Sequence, residues 1–156
     1  MDKELSRRDF LAATLAAGAV QLLPQPATAA DAPTAASATG GRLTFHGIDT
    51  HHGATIETLR ADLSILEGDR YRLIRSFDTL KGGRSDGALL EGATFAKGRY
   101  EILMYVEDYF AKIGTKLPTP NFLAQIPVRF GITDASQRYH VAVLFSPWSY
   151  SYYRGS

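Results

Sequence analysis

The chain has 156 residues, no cysteine, and a formal net charge of +1, from 17 lysines and arginines against 16 aspartates and glutamates. The missing cysteines exclude disulfides and thiolate metal sites in any compartment. The near-neutral balance, without a basic cluster, argues against nucleic acid and against a polybasic membrane surface as partners.

The N-terminus reads as a signal. Ser6-Arg7-Arg8-Asp9-Phe10-Leu11 sets two arginines ahead of an Ala-rich apolar run, Phe10 to Leu23. That run is shorter than the roughly 20 residues of a spanning helix. Pro24 and Pro26 close it, and Ala27-Thr28-Ala29 is a small-x-small cleavage pattern. The order of basic, apolar and small regions resembles a twin-arginine export signal. It predicts a signal over residues 1–30, cleavage near Ala29 or Ala30, a periplasmic location, and no membrane attachment afterwards. Residues 31–41 are Ala, Thr, Ser and Gly with little apolar bulk, so they are expected to form a flexible tether. What remains, 42–156, is about 115 residues, the size of one domain.

The mature part alternates with a period of two, the pattern of half-buried strands. Leu59, Ala61, Leu63 and Ile65 alternate with Arg60, Asp62 and Ser64, and Tyr100, Ile102, Met104 and Val106 alternate with Glu101 and its neighbours. Ile126 to Ile132 and Tyr139 to Phe145 repeat the pattern. Leu43 to Asp49, Tyr71 to Thr79 and Trp148 to Tyr153 are further candidate strands. Gly53, Gly68-Asp69, Gly82-Gly83, Gly98 and Ser146-Pro147 punctuate them. Glu107 to Ile113 is predicted to form a two-turn helix with Gly114 at its end. The expected fold is an all-β sandwich of seven or eight strands with one short helix.

There are four histidines, His46, His51, His52 and His140. His51 and His52 fall in a turn and do not converge as ligands, so this spacing argues against a metal. His46 and His140 each sit on the polar face of a strand, His46 with Thr44 and Ile48, His140 with Ala142 and Leu144. A strand histidine is a packed or solvated structural residue as a rule; a general base is the alternative. The C-terminus bears on this. Pairing across Ser146-Pro147 sets Phe145 near Tyr150 and His140 opposite Gly155 or Ser156. The ending Tyr153-Arg154-Gly155-Ser156 is thereby brought beside a histidine.

These residues carry a family resemblance. The run from Tyr139-His140-Val141 through Ser146-Pro147-Trp148 to Tyr153-Arg154-Gly155-Ser156 is similar to the end of the transthyretin-related 5-hydroxyisourate hydrolases. The terminal Tyr-Arg-Gly-Ser separates those enzymes from transthyretin itself. Leu43-Thr44-Phe45-His46-Gly47-Ile48-Asp49 resembles the motif Leu-Ser-x-His-Val-Leu-Asp, and Thr79 to Arg84 aligns with Thr-Asn-x-Asp-Gly-Arg. Leu80 and Gly82 stand where that motif has Asn and Asp, and Arg138 stands where a histidine is common. The resemblance spans Arg42 to Ser156.

It implies a transthyretin-like two-sheet sandwich, assembled as a homotetramer (a dimer of dimers) with active sites between dimers. It implies hydrolysis of 5-hydroxyisourate to 2-oxo-4-hydroxy-4-carboxy-5-ureidoimidazoline in urate degradation, without metal or cofactor. His46, Arg84 and His140 are the implied catalytic set, and Tyr153, Arg154, Gly155 and Ser156 the implied substrate-binding set. Either histidine can serve as base, since imidazole titrates near neutrality. Arg84 and Arg154 can pair with carbonyl or anionic oxygens. A transthyretin-like small-molecule carrier without catalysis is the rival reading, and the terminal tetrad weighs against it.

Overall fold

The computed structural model describes residues 40–155; the expected signal over 1–30, the tether up to residue 39 and Ser156 lie outside the described residues. Among the described residues nine strands form: β1 (Arg42–Asp49), β2 (Ala54–Thr55), β3 (Arg60–Glu67), β4 (Arg70–Asp78), β5 (Leu90–Glu91), β6 (Gly98–Met104), β7 (Ile126–Ile132), β8 (Arg138–Phe145) and β9 (Tyr150–Gly155). One helix, α1 (Val106–Lys112), follows β6, and a 3-10 turn spans Gly92–Thr94. The seven longer strands are those the alternation predicts. The two short ones, β2 and β5, are two-residue pairings along β1, too brief for any periodicity to register.

Two boundaries differ from expectation. The last strand begins at Tyr150 rather than Trp148, because Ser146 holds the turn longer. Its Oγ accepts from the N–H groups of Trp148 and Ser149 at 3.2 and 3.0 Å, and its N–H donates to the Ser149 carbonyl at 2.8 Å. The helix starts one residue early, at Val106. Ile113 ends it, and Gly114 follows with φ of 77°, a left-handed conformation that glycine adopts without a Cβ penalty.

The strands form two sheets. One runs β2-β1-β8-β9, with β5 also paired to β1; the other runs β4-β3-β6-β7. Alternation explains why they stack. Leu43, Phe45, Tyr139, Val141, Val143 and Phe145 turn inward from the first sheet. Ala61, Leu63, Tyr100, Ile102, Met104 and Val128 meet them from the second. Phe45 and Phe77 contact edge to face at 5.6 Å. The helix seals one end of the core with Val106, Tyr109 and Phe110. Each of those buried side chains contributes on the order of 1.5–3 kcal/mol relative to exposure.

Asp49, at the end of β1, is fully buried and ties strand, turn and helix together. Its carboxylate accepts from the backbone N–H groups of His51 and His52, from His52 Nδ1 at 2.6 Å, and from the Tyr109 hydroxyl at 3.1 Å. These bonds hold its carboxyl below the usual aspartate range against the opposing effect of burial. His51 and His52 are exposed, as a turn predicts, but they are anchored. His51 lies against Trp148 at 5.3 Å, and His52 is held by Asp49.

Candidate active site

The register of the first sheet builds the site. β1 and β8 run parallel, with Thr44 opposite His140 and His46 opposite Ala142. β8 and β9 run antiparallel, with His140 opposite Gly155 and Ala142 opposite Tyr153. Directly paired residues share a face. Thr44, His46, His140, Tyr153 and Gly155 therefore stand on the outer face of the sheet, away from the core. The His46 and His140 ring centroids are 6.1 Å apart and tilted by 41°.

Arg84 arrives from the other side of β1. It has no strand of its own, but its backbone bridges to His46 as a strand would. The Gly47 N–H donates to the Gly83 carbonyl at 2.8 Å, and the Ser85 N–H donates to the Phe45 carbonyl at 3.2 Å. Gly83 makes this possible. Its φ is 73°, and a Cβ there would lie 2.1 Å from the Gly47 carbonyl oxygen. The Gly82-Gly83 signal in the sequence thus marks the turn that presents Arg84.

The two imidazoles are held differently. The Thr44 hydroxyl and His140 Nδ1 share a hydrogen bond of 2.8 Å, whose direction follows the tautomer. Nδ1 is thereby committed, and Nε2 is the nitrogen that can face a ligand. His46 shows the reverse arrangement: its Nε2 is buried and has no hydrogen-bond partner among the described residues. Such atoms are nearly always paired in protein interiors, by solvent or a ligand where the chain supplies no partner. A hydrogen bond with the Gly82 backbone raises the His46 pKa, the sign expected when the ring donates to a carbonyl. Burial first, then the Arg84 charge, outweigh it, so His46 titrates below the ordinary histidine value. His140 is lowered by burial, by Arg84 and by His46, in that order. Both rings are therefore neutral at neutral pH, the state a base requires.

Beside them lies a cleft of about 500 Å³, lined by Arg42, Thr44, Arg84, Ser85, Arg138 and His140 among others. Hydroxyl, imidazole and guanidinium groups converge there beside Gly87 and Ala88. Such a concave surface suits a small, flat, polar ligand with developing negative charge.

The C-terminal tetrad divides between the two faces. Gly155 packs against His140; a Cβ at that position would lie 2.9 Å from His140 Cδ2. Tyr153 is exposed on the same face. Arg154 is on the opposite face: its guanidinium stacks 3.9 Å from the Tyr139 ring centroid and donates to Gln137 Oε1 at 2.7 Å and to the Arg138 carbonyl at 3.2 Å. Ser156 lies outside the described residues. The structure thus brings together His46, Arg84, His140 and Gly155, and turns Arg154 away from them within the single chain. Sequence reasoning passed over Thr44 as a partner of His140. Its position two before His46, on the same strand face, was the available signal.

Comparison with known proteins gives the family. Residues 43–155 match the family model described as HIUase/Transthyretin family. The chain is 53% identical over 116 residues to 5-hydroxyisourate hydrolase 2 of Rhizobium meliloti (strain 1021), covering 74% of this chain and 97% of the relative. It is 42% identical over 116 residues to 5-hydroxyisourate hydrolase of Pseudomonas aeruginosa, covering 74% and 92%. Among solved structures it resembles 5-hydroxyisourate hydrolase of Klebsiella pneumoniae, with a TM-score of 0.61 at 25% identity over 74% of this chain and 99% of that one. It also resembles an (S)-allantoin synthase, with a TM-score of 0.71 at 40% identity, covering 76% of this chain but only 44% of the synthase. With its strand order, its paired histidines and its terminal motif, the chain belongs to the HIUase/Transthyretin family.

Proposed function

We propose that this chain is a hydrolase that opens 5-hydroxyisourate to 2-oxo-4-hydroxy-4-carboxy-5-ureidoimidazoline in urate degradation. The observation that carries this reading is the meeting of His46, His140 and the Arg84 segment on one sheet face, beside a cleft. The names of the relatives matched over the whole domain support the same activity.

The chemistry follows from the two ring environments. With one nitrogen of His46 tied to the Gly82 backbone, a neutral imidazole presents Nε2 as an acceptor. That nitrogen takes a proton from water as the water oxygen bonds to the acyl carbon. Negative charge develops on the acyl oxygen and is met by the Arg84 guanidinium, which remains charged at any working pH. The acyl carbon–nitrogen bond then breaks, the nitrogen takes up a proton from an imidazolium, and the acyl carbon leaves as a carboxylate. The imidazolium is that of His46, which returns the proton it took from water; His140, held by Thr44, orients the substrate ring. Tyr153 and Gly155 of the terminal strand flank the site in this reading, and no step needs a metal.

The paired arginines before an apolar run further support export by the twin-arginine route to the periplasm. The aromatic side chains exposed along the last hairpin, Trp148, Tyr150, Tyr152 and Tyr153, support assembly as a homotetramer.

The test is ultraviolet spectroscopy of freshly generated 5-hydroxyisourate. The protein accelerates its decay, and His46→Asn and His140→Asn each remove most of that acceleration. A carrier would leave the decay unchanged, and that result would sink the hydrolase reading.

A further inference from the structure

Arg84 is exposed and belongs to no strand, so its place beside the histidines needs a cause. Along this edge of β1, β5 pairs with Arg42 and Leu43, and β2 pairs with Ile48 and Asp49. The stretch between them meets only the segment 83–85, in which Gly83 and Ser85 are buried and Arg84 points outward between them. Two backbone bonds hold that segment: Gly47 N–H to the Gly83 carbonyl and Ser85 N–H to the Phe45 carbonyl. The Phe45 N–H is a third donor, and a buried backbone donor needs a partner. A continued antiparallel ladder would offer it the Ser85 carbonyl. Here the Ser85 hydroxyl accepts it instead, at 3.3 Å, and donates its own hydrogen to the Gly87 carbonyl at 2.8 Å. The side chain replaces one rung of the ladder, and the main chain leaves β1 directly after Arg84. Ser85, Gly87 and Ala88 then line the cleft at the point of departure. Ser85 is buried and its hydroxyl is committed to backbone on both sides, so it acts through its neighbour rather than on a ligand.

We infer that Ser85 is a positioning residue: its hydroxyl locks the segment 83–85 in register against Phe45 and thereby fixes the Arg84 guanidinium beside His46 and His140. For its effect on turnover the inference rests on the hydrolase reading. A donor aimed at developing negative charge works only when it is already in place, and a misplacement of about 1 Å is enough to lower the rate steeply. Without the hydroxyl, the Phe45 N–H loses its acceptor and the segment keeps two bonds of three. Arg84 stays charged but is held less closely. Its charge is also a reporter, because after burial it is what lowers the His46 titration, and a guanidinium that swings away lets that titration rise.

The test compares Ser85→Thr, which keeps the hydroxyl, with Ser85→Val, which exchanges it for a methyl, so any cost of the added bulk is common to both. Ser85→Ala is the third variant, and thermal midpoints check that each folds. In Ser85→Val and Ser85→Ala, kcat for 5-hydroxyisourate should fall about tenfold with KM little changed, the pattern of an interaction made in the transition state. Ser85→Thr should keep most of the activity. Nuclear magnetic resonance titration of the His46 ring gives a readout without turnover. Its midpoint should rise in Ser85→Ala toward that of Arg84→Gln, and adding Ser85→Ala to Arg84→Gln should move it no further. A serine that only stabilises the fold would lower the thermal midpoint and leave the His46 titration where it was. That result overturns the inference, as do equal kcat values for the Thr and Val variants or a titration shift as large in the Arg84→Gln background as in the unsubstituted chain. The hydrolase reading fails separately, if the unsubstituted protein leaves 5-hydroxyisourate decay unchanged while the His46 shift is found.

Discussion

Replacing Gly155 with Ala tests whether the chain end belongs to the site. Gly155 pairs with His140 across β8 and β9, and its new Cβ would lie 2.9 Å from His140 Cδ2, 3.4 Å from His140 Cβ and 3.5 Å from His140 Cγ. Carbon atoms in contact prefer about 3.5–4.0 Å. The closest approach is therefore short by about 0.6–1 Å, and either the ring or the strand end must move by that much. A ring displaced by about 1 Å from its productive position loses on the order of a hundredfold in rate. The stability cost is small by comparison. β9 is an edge strand, exposed from Tyr150 to Arg154 with Gly155 half-buried, and substitutions away from the core shift stability by about 0.5 kcal/mol. The expected outcome is a folded protein with a nearly unchanged thermal midpoint and a kcat for 5-hydroxyisourate reduced on the order of a hundredfold. Gly131→Ala is the control, since a Cβ there meets nothing closer than the Gly98 carbonyl oxygen at 3.9 Å. Full turnover by Gly155→Ala, with a midpoint like that of the control, would refute the claim that the C-terminal strand shapes the surroundings of His140.

Three other outcomes follow from the same geometry. Thr44→Val removes the hydroxyl bonded to His140 Nδ1, and kcat should fall roughly threefold to tenfold, the worth of one hydrogen bond; Thr44→Ser should restore it, and a Val variant with unaltered kcat and pH profile would remove Thr44 from the mechanism. Gly83→Ala places a side chain at φ of 73° and 2.1 Å from the Gly47 carbonyl oxygen, so it should displace Arg84 and abolish turnover along with at least about 1–2 kcal/mol of stability measured by urea unfolding; an active, equally stable variant would contradict the turn as drawn. Because His46 and His140 titrate below 6.5 in the fold, the unfolded chain takes up protons first as pH falls through that value. Stability, measured as a thermal midpoint, should then be flat above that value and decline below it, and the decline should shrink in His46→Asn.

The fold was legible because its determinants are local and periodic. Leu43 and Phe45, or Tyr139, Val141 and Val143, alternate with polar neighbours over a full strand, and burial of one face follows from that alone. The final hairpin was legible for a different reason. A tight turn fixes register, so Phe145 opposite Tyr150 carries through to His140 opposite Gly155 by counting. What did not show was anything depending on partners far apart in sequence without a periodic signal. The pairing of β1 with β2, with Arg84 and with β5 along one edge uses two residues, a single bridge and two residues in turn. No alternation can announce such brief contacts.

The same division runs through the site, and it explains why Arg84 stands beside the histidines while Arg154 turns away from them. Both are arginines in motifs shared with a family of enzymes, and sequence treats them alike. The pleat does not. Arg154 pairs with Val141, an inward-facing residue, so the alternation that buries Val141 sends Arg154 to the Tyr139 side of the edge strand. Gly155, one residue on, falls beside His140 instead. Parity along β9 was readable from the hairpin and would have separated the two in advance. Arg84 is the opposite case. Its place depends on Gly83 approaching the Gly47 backbone closely enough that no side chain fits at either glycine without displacing a neighbour. A Cβ at Gly83 would strike the Gly47 carbonyl oxygen at 2.1 Å, and a Cβ at Gly47 would strike Ile56 Cδ1 at 2.5 Å, so both glycines are needed where strand, turn and Ile56 meet. That coupling is a property of two segments meeting, and it becomes visible only when the chain is folded.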